Sequence, residues 1–367
     1  RLRFNCTQGT TPKYGNSLAT RTPVSQRVTE GAVEAQVPLI RDSFLQSANL
    51  TGGVRRAYYS VTGNALITQA VSTNKFKALT WKLGLDVDVN DWLSLRGTRS
   101  KDFRAPNLNE LYAPIAIANT VRLDSLTNLS ARADSYEGGN PLLKPEVGYT
   151  WTVGAIVRPT SGLTLAVDAY DIRINDAITS IQGYNAISQR ACYDSGGTSF
   201  YCTLQERPLG FTNTSPANLV TKWLTSGLNI AEQITYGVDF EANYRTEIRN
   251  RPFSIRSLVT YQPHTIQKRP GTVSTDRAGV NDPIWRVTNF FRYSVTKALT
   301  IDVLNKWRSR LQNADPNVFV FKSDKDRIVK SAMFTNVNFT YRLDRPSLGQ
   351  ADLYFNITNV FDKNPPD

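Results

Sequence analysis

The sequence predicts an all-β chain: a transmembrane antiparallel β-barrel that crosses the membrane with its strands. Three features predict it. Apolar residues alternate at period two over stretches too long for an ordinary soluble sheet. The connections between those stretches alternate short and long without exception. Aromatic residues on the apolar parity gather near the two ends of the strands.

The alternation is plain in Trp81, Leu83, Leu85, Val87 and Val89, which interleave with Lys82, Gly84, Asp86 and Asp88. It recurs in Tyr236, Val238, Phe240, Ala242 and Tyr244, and again in Val337, Phe339, Tyr341 and Leu343. Twelve strands are expected, at 27–39, 46–61, 75–88, 92–104, 146–158, 162–175, 229–246, 252–266, 284–295, 298–311, 331–343 and 350–361. A tilted strand needs about 9–11 residues to cross a bilayer, and each of these suffices. Leu83, Leu85, Phe240, Phe339 and Phe355 are expected to face lipid. Within 162–175 the apolar parity changes, from Leu163, Leu165 and Val167 to Tyr170, Ile172 and Ile174, so a bulge is expected near Asp168. Helical periodicity is confined to Asn107–Tyr112 and Ala186–Tyr193.

Connections at 40–45, 89–91, 159–161, 247–251, 296–297 and 344–349 are short. The long ones cover about 1–26, 62–74, 105–145, 176–228, 267–283 and 312–330. All short turns therefore lie at one end and all long loops at the other, the asymmetry of an outer-membrane barrel. A propeller would show a blade repeat near 40–50 residues, and none is present. Tyr244, Tyr293 and Tyr341 fall near the short-turn end, Trp285 and Trp307 near the long-loop end.

Composition narrows the function. No run approaches 18 apolar residues, which excludes a membrane-spanning helix. The 43 Lys+Arg against 31 Asp+Glu give a net charge of +12, which implies an anionic neighbour. One His and three Cys leave little for catalysis or metal binding. His264, beside the loop 267–283, has no second His and no nucleophile motif near it in sequence. No catalytic residue, metal site or cofactor is expected. No compact basic motif or recognition helix accounts for the charge, so nucleic acid is not an expected partner.

Four segments carry a resemblance. Leu93–Tyr112, LSLRGTRSKDFRAPNLNELY, is similar to the strand-and-loop segment "R…S…FRAPxxxEL" of TonB-dependent outer-membrane receptors. Gly139–Glu146, GNPLLKPE, resembles their "NPxLKPE". Thr235–Tyr244, TYGVDFEANY, looks like the Gly-Val-acid segment that opens a strand, and Leu353–Asp362, LYFNITNVFD, like the "NxxNxFD" segment near the C-terminus. The four occur in the family's order over most of the chain.

The resemblance implies a 22-stranded barrel filled by a plug, in the outer membrane of a Gram-negative bacterium. The twelve strands here would be its C-terminal part, with the plug, roughly nine strands and the last strand lying outside 1–367. It implies energy-coupled uptake of a bulky, scarce solute of the iron-siderophore or oligosaccharide class. The TonB complex would act through the plug. The alternative is a non-transporting barrel that docks a surface or periplasmic protein in a larger complex.

Individual residues are weighed within that frame. Cys192 and Cys202 lie ten apart in the longest loop, on the oxidising side of the membrane, and a disulfide is the leading reading over two free thiols. Cys6 would partner a residue outside the chain. Asn109, Tyr112, Arg132 and Tyr136 in one long loop, and Tyr193, Tyr201 and Trp223 in the next, offer rings and polar groups that could grip a small-molecule solute, or could pack on one another to order the loops. Arg96, Arg158, Asp239, Glu241 and Arg245 fall on the lumen parity. Arg99 and Lys101 continue the outward parity of Leu93, Leu95 and Gly97, so they are expected to meet outer-membrane lipid, namely lipopolysaccharide phosphates, unless a bulge turns them inward or the strand has already risen clear of the membrane.

Overall fold

A computed structural model describes residues 23–64, 71–270, 273–313, 328–345 and 349–364. Twelve long strands follow one another: β1 Ser25–Arg41, β2 Ser47–Asn64, β3 Val71–Asn90, β4 Leu93–Arg104, β5 Glu146–Thr160, β6 Leu163–Gln182, β7 Lys222–Ile248, β8 Arg251–Lys268, β9 Trp285–Ser294, β10 Leu299–Arg308, β11 Ala332–Arg345 and β12 Gly349–Ile357. Each pairs antiparallel with its sequence neighbours, so the sheet order is the chain order. Every expected strand is present in place.

Local chemistry sets the short turns. Arg249 and Asn250 both take left-handed backbone, φ 52° and 57°, as a tight hairpin twist requires. Gly162 has φ +87°, and a Cβ there would lie 2.3 Å from the Arg245 carbonyl oxygen, so no other residue fits that turn. The long-loop end differs in extent from expectation. β2 and β3 run on to Asn64 and Val71, shortening the connection expected at 62–74, and β6 and β7 run on to Gln182 and from Lys222. A long paired arm thus rises at the loop end, and the loop between β4 and β5 packs against it.

The two faces of the sheet are distinct. One is concave and polar: Lys82, Asp86, Arg96, Thr98, Thr152, Asp168 and Asp239 from several strands line a single cavity of about 820 Å³. The other carries Leu83, Leu85 and Phe240, all well exposed, and the Phe339–Phe355 ring pair with centroids 6.3 Å apart. An antiparallel wall with a polar lumen and an apolar outer face is the arrangement that lets strands cross lipid.

The expected bulge near Asp168 is absent. β6 keeps continuous register against β7 from Leu163 to Ile174. Tyr170 and Ile172 simply face the cavity. The parity change reflects apolar side chains in the lumen, not a slip of the backbone. A bulge between Gly97 and Arg99 is absent too, with β4 in register against β5 from Leu93 to Arg104. On β8 to β11 the outer face carries a polar row, Ser257, Asn289, Asn305 and Thr335, directly cross-paired. The Ser257 hydroxyl donates to Asn289 at 2.7 Å and the Asn305 amide to Thr335 at 2.9 Å. Those bonds offset part of the cost of polar groups facing hydrocarbon.

Candidate functional site: the loop mouth

The loop between β4 and β5 folds over the upper end of the sheet and is braced by the residues that carried the first two motifs. Helix α1, Leu108–Tyr112, is capped by Asn107: its side chain accepts from the Glu110 N–H, and Glu110 accepts from the Asn107 N–H. The Arg104 guanidinium, at the end of β4, reaches Glu146 at 2.6 Å and Glu110 at 2.9 Å. Planar, bidentate pairing of this kind is what Arg does better than Lys. Glu146 also accepts the Ile178 N–H at 2.6 Å, tying the brace to β6. Asn140 donates to the Gly227 carbonyl at 3.0 Å, and Asn74 donates to the carbonyls of Pro141 and Leu143. A Cβ on Gly139 would sit 2.5 Å from the Tyr112 and Ala113 nitrogens, so the close crossing of the two segments needs glycine. Arg104, Glu110, Asn140 and Glu146 thus build the mouth.

The second long loop forms a core of its own. Helix α2, Ala186–Asp194, is joined to the turn Phe200–Leu204 by the Cys192–Cys202 disulfide. Around it pack Ile181, Tyr201 and Leu204. A ribbon from the first loop, Ala116–Asp124 with Leu129–Gly138, lies alongside and pairs parallel with the start of β7. Between loops sits an ion pair: Arg207 Nη2 to Asp124 Oδ1 at 3.0 Å, both side chains fully buried. The same guanidinium nitrogen donates to the Tyr193 hydroxyl at 2.7 Å, which donates in turn to Gln205 at 2.9 Å. Gln189 donates to the carbonyls of Leu123 and Tyr184. Burial pushes the Tyr193 phenol well above its ordinary pKa, against the pull of Arg207, so it stays a hydroxyl.

This geometry sorts the residues proposed from sequence. Tyr112 packs with Val61, Leu111 and Leu143, and its hydroxyl donates to the Val61 carbonyl at 3.0 Å. Tyr201 and Trp223 are 1% and 0% exposed. For these three, solute contact is corrected to packing, because no face is left open. Tyr193 is half-buried and its hydroxyl is engaged by Arg207. Asn109 and Arg132 are exposed. Tyr136, with Lys222 Nζ 4.7 Å from its ring centre, lines a cavity of about 350 Å³ together with Leu142, Leu204 and Leu224. The sequence singles out neither Asp124, Gln189 nor Gln205, and offers Arg207 only as a loop residue open to solute contact or loop packing, not as the partner of Asp124. Asp124 and Arg207 are 83 residues apart, and no local spacing links them.

The lumen residues fall on the concave face. Arg96 donates to both oxygens of Asp168 at 2.7 and 2.6 Å, and Asp239 lines the same cavity. Glu241 accepts from Asn243 and Arg256, Arg158 donates to Ser94, and Arg245 lines a second cavity of about 540 Å³. His264 Nδ1 lies 2.6 Å from Asp276. No group of three metal-ligating side chains occurs among the described residues. Cys6 lies outside them.

Residues 2–360 match the family described as TonB dependent receptor-like, beta-barrel. The chain belongs to the TonB-dependent receptor family. Among solved structures it is similar to the siderophore receptor PirA from Acinetobacter baumannii, with TM-score 0.55 and 14% identity over 95% of this chain and 52% of that one. It is similar to the ferric enterobactin receptor PfeA from Pseudomonas aeruginosa, in a mutant form, with TM-score 0.57 and 12% identity over 93% and 49%. A third is the FrpB iron transporter from Neisseria meningitidis, with TM-score 0.55 and 13% identity over 93% and 42%. The chain thus spans about half the length of these receptors. Among curated proteins no sequence matches it. TonB-dependent receptors are barrels of the Gram-negative outer membrane and serve transport rather than catalysis.

Proposed function

We propose that this chain forms the outer wall and mouth of a receptor that imports a bulky, scarce solute with energy delivered by TonB. The observation that carries this is the pairing of a rigid, cross-braced mouth with a polar concave wall below it. A mouth held by a disulfide, a buried ion pair and a bidentate Arg brace presents its exposed groups at fixed positions. Preorganisation of this kind limits the ordering cost of binding. Asn109, Arg132 and Tyr136 are the groups left to touch the solute. The net charge of +12 favours an anionic one, and a ferric siderophore fits that chemistry better than a neutral oligosaccharide.

The test is uptake by the full-length receptor in cells under iron limitation, using a labelled ferric catecholate, a labelled neutral oligosaccharide, and each with the inner membrane de-energised. Energy-dependent uptake of the ferric complex, weakened at least tenfold in Km by Arg132→Ala with Tyr136→Ala, is the expected result. Uptake of the oligosaccharide alone would move the substrate class. Absence of energy-dependent uptake of any solute would favour the alternative, a barrel that docks a partner protein.

A further inference from the structure

We propose that the outer wall at β8 to β11 is a contact surface for a second copy of this chain, centred on the Asn289–Asn305 cross-pair. Register puts the polar row on that wall. Val259 is cross-paired with the outward Phe240, and Ser257, two residues along, shares its side of β8. Ser257, Asn289, Asn305 and Thr335 then stand opposite one another in turn. On β9 the row lies midway between Trp285 and Tyr293, the aromatic ends of the apolar band, so Asn289 sits near the bilayer centre. On β3 to β6 the outward polar groups stand higher. Arg99 and Lys101, opposite Leu83 and Trp81, and Arg173, opposite Tyr149, lie toward the loop end. Below them the band is Leu85, Leu95, Val153 and Val167.

What the row leaves unpaired identifies the partner. The Ser257 hydroxyl donates to the Asn289 carbonyl oxygen, so the Asn289 amide N–H groups have no acceptor among the described residues. The Asn305 amide nitrogen donates to Thr335, so the Asn305 carbonyl oxygen has no donor among them. The two amides stand directly opposite each other, half-buried, and make no hydrogen bond to each other. In hydrocarbon neither group can turn to water, and lipid tails supply neither donor nor acceptor.

One unmet donor beside one unmet acceptor is self-complementary. Two copies upright in one membrane are related by a two-fold axis along the membrane normal, which keeps every residue at its own depth. With that axis between β9 and β10, each Asn289 faces the other copy's Asn305, and two reciprocal hydrogen bonds close. Barrel strands tilt by about 35–45°, so the two rows slant in opposite senses across the interface and cross at this one point. Val259 and Val287 toward the loops, and Val303 and Val337 toward the turns, are compact enough to let the walls approach. An unrelated barrel has no reason to present the same donor and acceptor at the same depth.

The full-length receptor is expressed in cells as two differently tagged forms, each with a photoreactive phenylalanine analogue in place of Phe291, and illuminated in intact outer membranes. The expected result is a cross-linked band carrying both tags, at least tenfold stronger than with the analogue in place of Leu85 on β3. Asn289→Leu in both forms, or Asn305→Leu in both, should weaken the band at least fivefold, while heat-modifiable mobility reports that the barrel is folded. Asn289→Leu in one form with Asn305→Leu in the other should restore it at least threefold over either matched pair, because one donor–acceptor bond is regained. Equal bands from Phe291 and Leu85, a cross-link to a different protein in place of the doubly tagged band, or no cross-link at all would each overturn the proposal. So would a full band in both Leu forms, or a mixed pair no stronger than the matched ones. If a Leu form fails to fold, the comparison of Phe291 with Leu85 in the otherwise native protein still decides.

Discussion

The buried Arg207–Asp124 pair is the residue on which the mouth depends most. Both side chains are fully buried, and Asp124 also accepts the Leu126 N–H at 3.0 Å and lies 3.3 Å from the Val220 nitrogen. Removing one partner leaves a buried charge without its counter-ion, a loss of about 3–5 kcal/mol in such sites. Replacing both with apolar groups costs far less, because no charge remains to desolvate. Asp124→Asn should therefore loosen both loops without unfolding the wall, and Asp124→Leu with Arg207→Met should be milder than either single change. Protease nicking of intact cells, mapped within 183–221, measures this. A single variant as resistant as the native protein would show that the pair does not hold the loops together. The Cys192–Cys202 bridge closes a short loop inside the same cluster and in the chain-entropy model adds about 3 kcal/mol.

At the scale of elements, period-two alternation located all twelve strands because a lipid-facing wall imposes it on every strand. It misjudged where strands stop. Asn64, Val71, Gln182 and Lys222 extend the strands beyond the apolar band, where no lipid enforces the parity, and there β7 shifts register against β6 between Asn229 and Gln233. It could not decide whether the aromatic residues of the long loops grip a solute or pack on one another, because Tyr112, Tyr201 and Trp223 owe their burial to segments distant in sequence. Arg104, Glu110 and Glu146 stood in recognisable motifs, although their bracing role was not legible there, and Asp124 and Arg207 stood in none. The wall itself makes a simple prediction. Leu85→Arg places a cation on the apolar face and should cost about 2–4 kcal/mol, whereas Thr98→Arg on the concave face should cost little. Urea unfolding of the full-length protein in lipid vesicles compares the two. A larger loss from Thr98→Arg than from Leu85→Arg would mean that the faces are reversed.

The whole molecule is a sheet with two edges. Among the described residues β1 pairs with β2 alone and β12 with β11 alone, so one side of each carries unpaired N–H and C=O groups. In hydrocarbon no water reaches such groups, and each unmet pair costs several kcal/mol. An outer-membrane wall cannot persist in that state, so β1 and β12 must pair with something. Twelve-stranded barrels are physically allowed, so direct closure of β1 on β12 has to be tested. The chain spans about half the length of the receptors it is similar to, so pairing of each edge with some other strand is the second arrangement to be tested. Cysteines replacing Val33 on β1 and Leu353 on β12 decide between these. In the full-length receptor in its membrane they should not join under oxidation, while Val33→Cys with Val54→Cys, cross-paired on β1 and β2, should join readily. A β1–β12 crosslink as efficient as the β1–β2 control would mean that the twelve strands close on themselves, and the lumen would then be too narrow for the bulky solute proposed for it.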